Sequence, residues 1–288
     1  MSQPPYIRPE FERELPPLRN LPVETPLPVG QRLWNQAWLR KSLIVLLVLA
    51  LWEIAARIQQ NDLMLPGVLQ TLRAFSEDMH NGELPGKIAN SLSILLKGYL
   101  IGSVLALVAS ALAVTTQFGR DLLSTLTSML NPLPAIALLP LALLWFGLGN
   151  ASLIFVIVHS VTWPIALNTW SGFSSVPETL RMAGRNYGLS GPRYVATILI
   201  PASLPAILSG LKIGWAFAWR TLIAAELVFG ASSGEGGLGW YIFQNRNELF
   251  TDRVFAGLLT VIAIGLLVEG VVFATLEKVT VKRWGMQR

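Results

Sequence analysis

Long apolar runs separated by short polar intervals dominate the chain from residue 42 onward. Each run is near or above the ~20 residues that a helix needs to cross a bilayer. They predict six spans, over 42–58, 88–115, 122–146, 151–173, 206–229 and 254–276. Between the first two, Leu65-Pro66 precedes an amphipathic helix predicted over 67–79. Residues 31–41 carry Trp34, Trp38 and Leu39 beside Arg32 and Arg40, a pattern that predicts a short helix lying in the membrane interface. Residues 1–30 are polar and proline-rich, so they predict an extended, disordered tail, either a plain tether or a regulatory segment. That tail lacks the basic start and apolar stretch of a cleavable signal peptide. Residues 42–288 then form the transmembrane domain, all-α and polytopic.

Composition narrows the chemistry. The chain is 52% hydrophobic and only 14% charged, which does not describe a soluble domain around one core. Its lack of cysteine excludes disulfides, thiol catalysis and thiolate metal sites. His80 and His159 are too few and too far apart for a histidine-based centre, so neither a catalytic site nor a metal site is expected. His159 lies in the fourth span and reads as a satisfied polar core residue. The net charge of +5 could suggest nucleic acid. Basic cytoplasmic loops beside anionic lipid account for the same excess, so no nucleic-acid partner is expected.

Placing the N-terminus inside collects Arg32, Arg40, Lys41, Arg120, Arg181, Arg185, Arg193, Lys278, Lys282 and Arg283 near cytoplasmic ends. Arg57, Arg73, Lys87, Arg246 and Arg253 then lie outside, diluted by acidic residues. The bias predicts both termini in the cytoplasm. It also puts the polar interval 177–205, with Arg181, Arg185 and Arg193, on the cytoplasmic side. There, residues 179–187 read as a short helix broken by Gly188, and 192–200 as an amphipathic turn stopped by Pro201 and Pro205. A helix–Gly–helix element with an apolar face suits docking of a soluble partner.

Within it, Met182-Ala183-Gly184, then Gly188, then Ile198-Leu199-Ile200-Pro201 resembles the Glu-Ala-Ala (EAA) loop of bacterial ABC importer permeases, closest to the nitrate/sulfonate/taurine branch. Met182 stands where that pattern has Glu, Gly184 where it has the second Ala, and Ile200 where it has Leu. Ala183, Gly188, Ile198, Pro201 and the spacing agree. The run from Pro134 to Pro140, the stretch Trp145 to Gly149, Trp219-Arg220 and Ala224-Ala225-Glu226 resemble the same branch. The resemblance spans roughly residues 51–284. It implies a type I ABC importer permease fold in the inner membrane, with residues Arg181 to Arg185, Gly188, Ile198 and Pro201 forming an ATPase-docking (coupling) element. Two permease copies, two cytoplasmic ABC ATPase subunits and a periplasmic or lipid-anchored binding protein are the implied partners. In that reading Ala183 and Gly184 permit close approach to the ATPase groove, and Arg181 and Arg185 make contacts at its rim.

Several residues inside the spans bear on a pathway. In the second span Gly98, Gly102, Ala106 and Ser110 share one face, which suits packing within the chain or a dimer seam. Pro134 and Pro140 interrupt the third, as a broken helix beside a pathway or as a packing kink. Glu53, Lys97, Lys212, Arg220, Glu226 and Glu269 are charges at membrane depth, and such groups face protein or water. On the fifth span Lys212, Arg220 and Glu226 fall within about 120° of one another with Trp215 and Trp219. That face either lines a path tolerant of an anion or holds ion pairs between helices. The external stretch 230–247 is glycine-rich and flexible, with Trp240-Tyr241 as an interface anchor, and could touch a binding protein. It lacks the Lys-Ser/Thr of a phosphate loop. No cofactor is therefore expected on this chain, ATP and Mg belonging to a partner ATPase. The substrate class implied is a small organic anion, with an ATP-independent channel or membrane enzyme as the rival reading.

Overall fold

The computed structural model describes residues 29–229 and 236–283, and over these the chain is helical. Of the tail expected over 1–30, residues 1–28 lie outside the described residues, as do the glycines at the start of the 230–247 stretch, while Val29 and Gly30 open a helix. The chain divides near Leu51 into an N-terminal part and a larger body, Trp52–Arg288. In the first part, α1 (Val29–Trp34) ends at a turn and α2 (Ala37–Gln59) begins at once. The interfacial helix expected over 31–41 is therefore split, and its second half is the first turn of the membrane helix. No proline or glycine separates Ala37 from the apolar run, so the helix has no reason to stop.

In the body, α3 (Val68–His80) precedes α4 (Glu83–Thr115), which is continuous. Among the described residues, four helices are long and apolar enough to cross a membrane, or six if each of two bent pairs counts as one span. The first pair is α5 (Gln117–Leu130) with the segment Ala135–Phe146, bent by 89°. The latter comprises a 3₁₀ turn (Ala135–Leu138) and α6 (Leu139–Phe146). Pro132 and Pro134 end the bonding ladder there, and Pro140 sits in the first turn of α6, where a missing N–H costs nothing. The second pair is Gly191–Ala202 with α11 (Leu204–Phe229), bent by 81°. Pro201 does not stop this segment as expected. It begins the one-turn helix α10 (Ile200–Ala202), and the bend falls at Ser203, whose hydroxyl donates to the Leu199 carbonyl at 2.6 Å. After α12 (Leu238–Asn247) comes the last span, α13 (Thr251–Leu267), π-type turns and α14 (Ala274–Glu277), reaching Lys282.

The core is a seam in which α4 and α11 both press on α7 (Asn150–Ser174). The small face of α4 makes the first contact: a Cβ on Gly98 would meet Ile157 at 2.7 Å, and one on Gly102 would meet Val161 at 2.9 Å. Ser110 donates to the Ala166 carbonyl at 3.1 Å. Across α7, Gly210 and Gly214 take Asn168 and Ile165 at 2.8 Å. Such close approach gives helix association in lipid, where no hydrophobic force separates chain from solvent. This packing assigns the small-residue face of α4 to the interior of the chain. Tyr99 donates to the Leu211 carbonyl at 2.8 Å, joining α4 to α11.

Gly102→Ala should overpack the seam and destabilise the fold by about 1–3 kcal/mol. Val161→Ala in the same chain should restore part of the loss, as read by thermal unfolding of the detergent-solubilised protein.

Candidate functional site

The polar interval forms α8 (Glu178–Asn186), with Pro177 at its N-cap and Glu178 in its first turn, where the helix dipole favours an anion. Gly188 closes it at φ +72°. Its N–H donates to the Arg185 carbonyl at 2.9 Å and the Leu189 N–H to the Gly184 carbonyl at 3.1 Å. These two bonds are a Schellman motif, which needs a left-handed residue where glycine now sits. A one-turn helix, α9 (Gly191–Tyr194), and a π-type turn (Val195–Leu199) then return the chain beneath α8.

The faces of α8 are sharply divided. Gly184 is buried because a Cβ there would meet Ile198 at 3.0 Å and the Tyr194 ring at 3.2 Å. Met182 is 50% and Tyr187 86% exposed, and Ala183 and Arg185 lie outward with them. The Arg181 side chain is only 16% exposed. It donates to the Val176 carbonyl at 3.1 Å and to the Phe173 carbonyl, closing the last turn of α7.

Two cavities meet at Arg220 on α11. One, of about 420 Å³, lies among Asn131, Pro134, His159, Trp163, Arg220 and Thr221. Among the described residues no carboxylate contributes to its lining. Both His159 ring nitrogens and the Trp163 indole N–H are buried without a hydrogen-bond partner among the described residues. The other, of about 550 Å³, is bounded by Lys212, Trp215, Trp219, Arg220 and Glu269. Lys212 and Glu269 pair at 3.0 Å. A fixed guanidinium and unused N–H groups around a hollow can hold an anion; they offer a metal cation no anionic ligand.

Comparison with known proteins decides the family. Residues 98–280 match the family described as binding-protein-dependent transport system inner membrane component. The chain belongs to that family. It is an ABC importer permease, all-α and polytopic, with the type I fold. A protein of Methanocaldococcus jannaschii named as an ABC transporter permease is 33% identical over 77% of this chain and 84% of its own. A protein of Escherichia coli (strain K12) named for aliphatic sulfonates transport, SsuC, is 31% identical over 77% of this chain and 83% of its own. The nitrate import permease protein NrtB of Synechocystis is 29% identical over 80% and 85%.

In this permease the structure brings Lys212, Trp215, Trp219 and Arg220 together, with Pro134 across the smaller cavity from Arg220. It does not bring Pro140, which lines neither. Glu226 is also elsewhere, and its placement as a pathway residue is corrected: at 2% exposure it faces the start of α12. Its carboxylate accepts from the Gly239 N–H at 2.8 Å and from the Ser91 hydroxyl at 2.8 Å, while Ser91 accepts from the Leu238 N–H at 2.8 Å. Glu226 and Ser91 thus cap α12 from two other helices, satisfying N–H groups that its own N-cap, Gly237, leaves open. Gly237 and Gly239 are glycines because a Cβ on either would strike Glu226, at 2.1 and 2.5 Å.

Four further expectations are corrected. Gly184 serves packing inside the loop, since Tyr194 and Ile198 occupy the space a partner would need. Arg181 is turned inward to cap α7 and makes no rim. Tyr241 is no interface anchor; it is fully buried and donates to Asp78. His159 is not a satisfied core residue, because the wall of α7 that carries it faces the cavity. Trp163 and Thr221 escaped the sequence reading, which also gave Asn131 and His159 no place at a cavity; the prolines at 132 and 134 were the one sign of a break beside them.

Burial, reinforced by the Asp78 hydrogen bond, pushes the Tyr241 phenol above its usual range. A raised folded-state value gives stability that is complete below the ordinary phenol pKa of about 10 and is lost as pH rises beyond it. Tyr241→Phe should therefore flatten the alkaline decline of the unfolding temperature, and cost about 2 kcal/mol at neutral pH by removing the bond to Asp78.

Proposed function

We propose that this chain is the membrane-spanning subunit of an ATP-driven importer that carries a small organic anion into the cytoplasm. Two copies form the pathway, two ABC ATPase subunits bind the cytoplasmic loops, and a binding protein delivers substrate from outside. ATP and Mg are held by the ATPase, and both permease termini lie in the cytoplasm. The observation that carries this reading is α8. It is a short helix closed by a left-handed glycine, with Met182, Ala183, Arg185 and Tyr187 outward and its inner face committed to its own loop.

The inner contacts supply the coupling. Arg181 ties α8 to the end of α7, which carries His159. The Gly184 contact with Tyr194 and Ile198 ties it, through the bend at Ser203, to α11, which carries Arg220. A partner that moves α8 as a rigid body therefore moves two walls of the smaller cavity relative to each other. That is a switch between two states driven from outside the membrane. Arg220 and the unpartnered His159 and Trp163 favour a negatively charged cargo. The relatives named for aliphatic sulfonates and nitrate carry cargo of that charge. Sulfonates, taurine, nitrate and aromatic acids are the classes to screen.

Gly188→Leu places a branched residue at φ +72°, at a local cost of about 1–2 kcal/mol. The variant should reach the membrane and elute as a folded protein, yet fail to co-purify with its ATPase. Normal co-purification and transport would contradict the docking assignment. Arg220→Ala, by contrast, should keep the ATPase bound and lower anion uptake by about tenfold or more. Unchanged uptake in proteoliposomes would remove Arg220 from the pathway.

A further inference from the structure

The ends of α4 and α7, the start of α5 and the edge of α8 that carries Arg181 and Arg185 enclose another hollow, of about 390 Å³. Arg120, Arg181 and Arg185 line it with Trp170 and Ser174, and no carboxylate does. Glu178 is the acid nearest to two of these arginines. It reaches Arg181 and Arg185 at only 3.9 and 3.8 Å and is itself 59% exposed, so it screens them weakly. Arg120 stands in the first turn of α5, where the helix dipole disfavours a cation. Its side chain makes no hydrogen bond or ion pair among the described residues, and neither does the Trp170 indole N–H.

A second, narrower groove of about 140 Å³ shares Arg120 and Trp170 and continues between α5 and α7 past Leu123, Ser124, Thr127 and Leu167. A cationic pocket at the ends of membrane helices, opening into a slot walled by leucines and small side chains, matches an amphiphile with an anionic head. Free phosphate would use the pocket and leave the slot empty. Arginine and tryptophan together are also what the headgroup level of a bilayer selects.

We propose that the two hollows are a binding site for an anionic phospholipid. Arg120 and Arg185 would engage its phosphate, Arg181 would add fixed positive charge, and one acyl chain would lie along Ser124 and Leu167. The lipid would bridge α5 and α7 to α8, so it would brace the element proposed above as the coupling helix. The binding itself does not depend on that role.

The test is native mass spectrometry of the full-length permease in detergent, titrated with phosphatidylglycerol or with phosphatidylcholine. One phosphatidylglycerol per chain should be retained in preference to phosphatidylcholine. Arg120→Gln should weaken that binding by about fivefold or more. Ser124→Trp, which fills the slot and leaves the arginines in place, should weaken it as well. Both positions are exposed, so the variants should elute as the parent does. Equal retention of the two lipids, or indifference to both substitutions, would overturn the proposal. Displacement by inorganic phosphate would reassign the pocket to a free anion. Loss of the lipid on adding the ATPase subunit would reassign it to the protein contact.

Discussion

Close approach to α7 is the constraint on which the rest depends. Gly98 and Gly102 on one side and Gly210 and Gly214 on the other leave no room for a Cβ, so α4 and α11 meet the same central helix at backbone range. In an apolar solvent, packing of this kind and satisfied polar groups replace the hydrophobic effect as the source of order. With α7 held from both sides, the breaks at residues 131–134 and at Ser203 can exist beside it, because the surrounding helices shield their backbone. The hollow at Arg220 follows from those breaks, since a straight third span would fill the space that Pro132 and Pro134 open.

Polar side chains are divided between two tasks. Glu226, Ser91 and Arg181 spend their hydrogen bonds on helix ends, at the start of α12 and the end of α7. They hold in place segments that would otherwise carry bare N–H or C=O groups into an apolar region. Arg220, His159 and Trp163 are left with donors facing a cavity. The same kinds of side chain thus close helix ends in one place and face a hollow in another, and the difference lies in whether a helix terminus is within reach.

This division explains what could be read from the sequence. Spans announced themselves through long apolar runs, the broken third span through its prolines, and the short helix α8 through Gly188 and its spacing to Pro201. Glu226 misled because helical angle alone put it beside Lys212 and Arg220. Its partners, Ser91 and Gly239, sit on two other elements, and only the fold brings them to it. Arg181 misled for a similar reason: the carbonyls it caps precede it by a turn that periodicity does not describe. His159 could not be recognised as unpartnered until the walls of its cavity were known. The bend at Ser203 was missed because prolines on both sides, Pro201 and Pro205, looked like the stop.

On the proposed reading, motion of α8 driven by a nucleotide-consuming partner reshapes a cavity suited to an anion. ATP hydrolysis by the reconstituted permease–ATPase complex, with empty and with anion-loaded binding protein outside, tests it most directly. Hydrolysis should rise with the loaded protein, and labelled anion should accumulate inside in step with it. Anion flux that continues without ATP, or hydrolysis indifferent to the loaded binding protein, would contradict it.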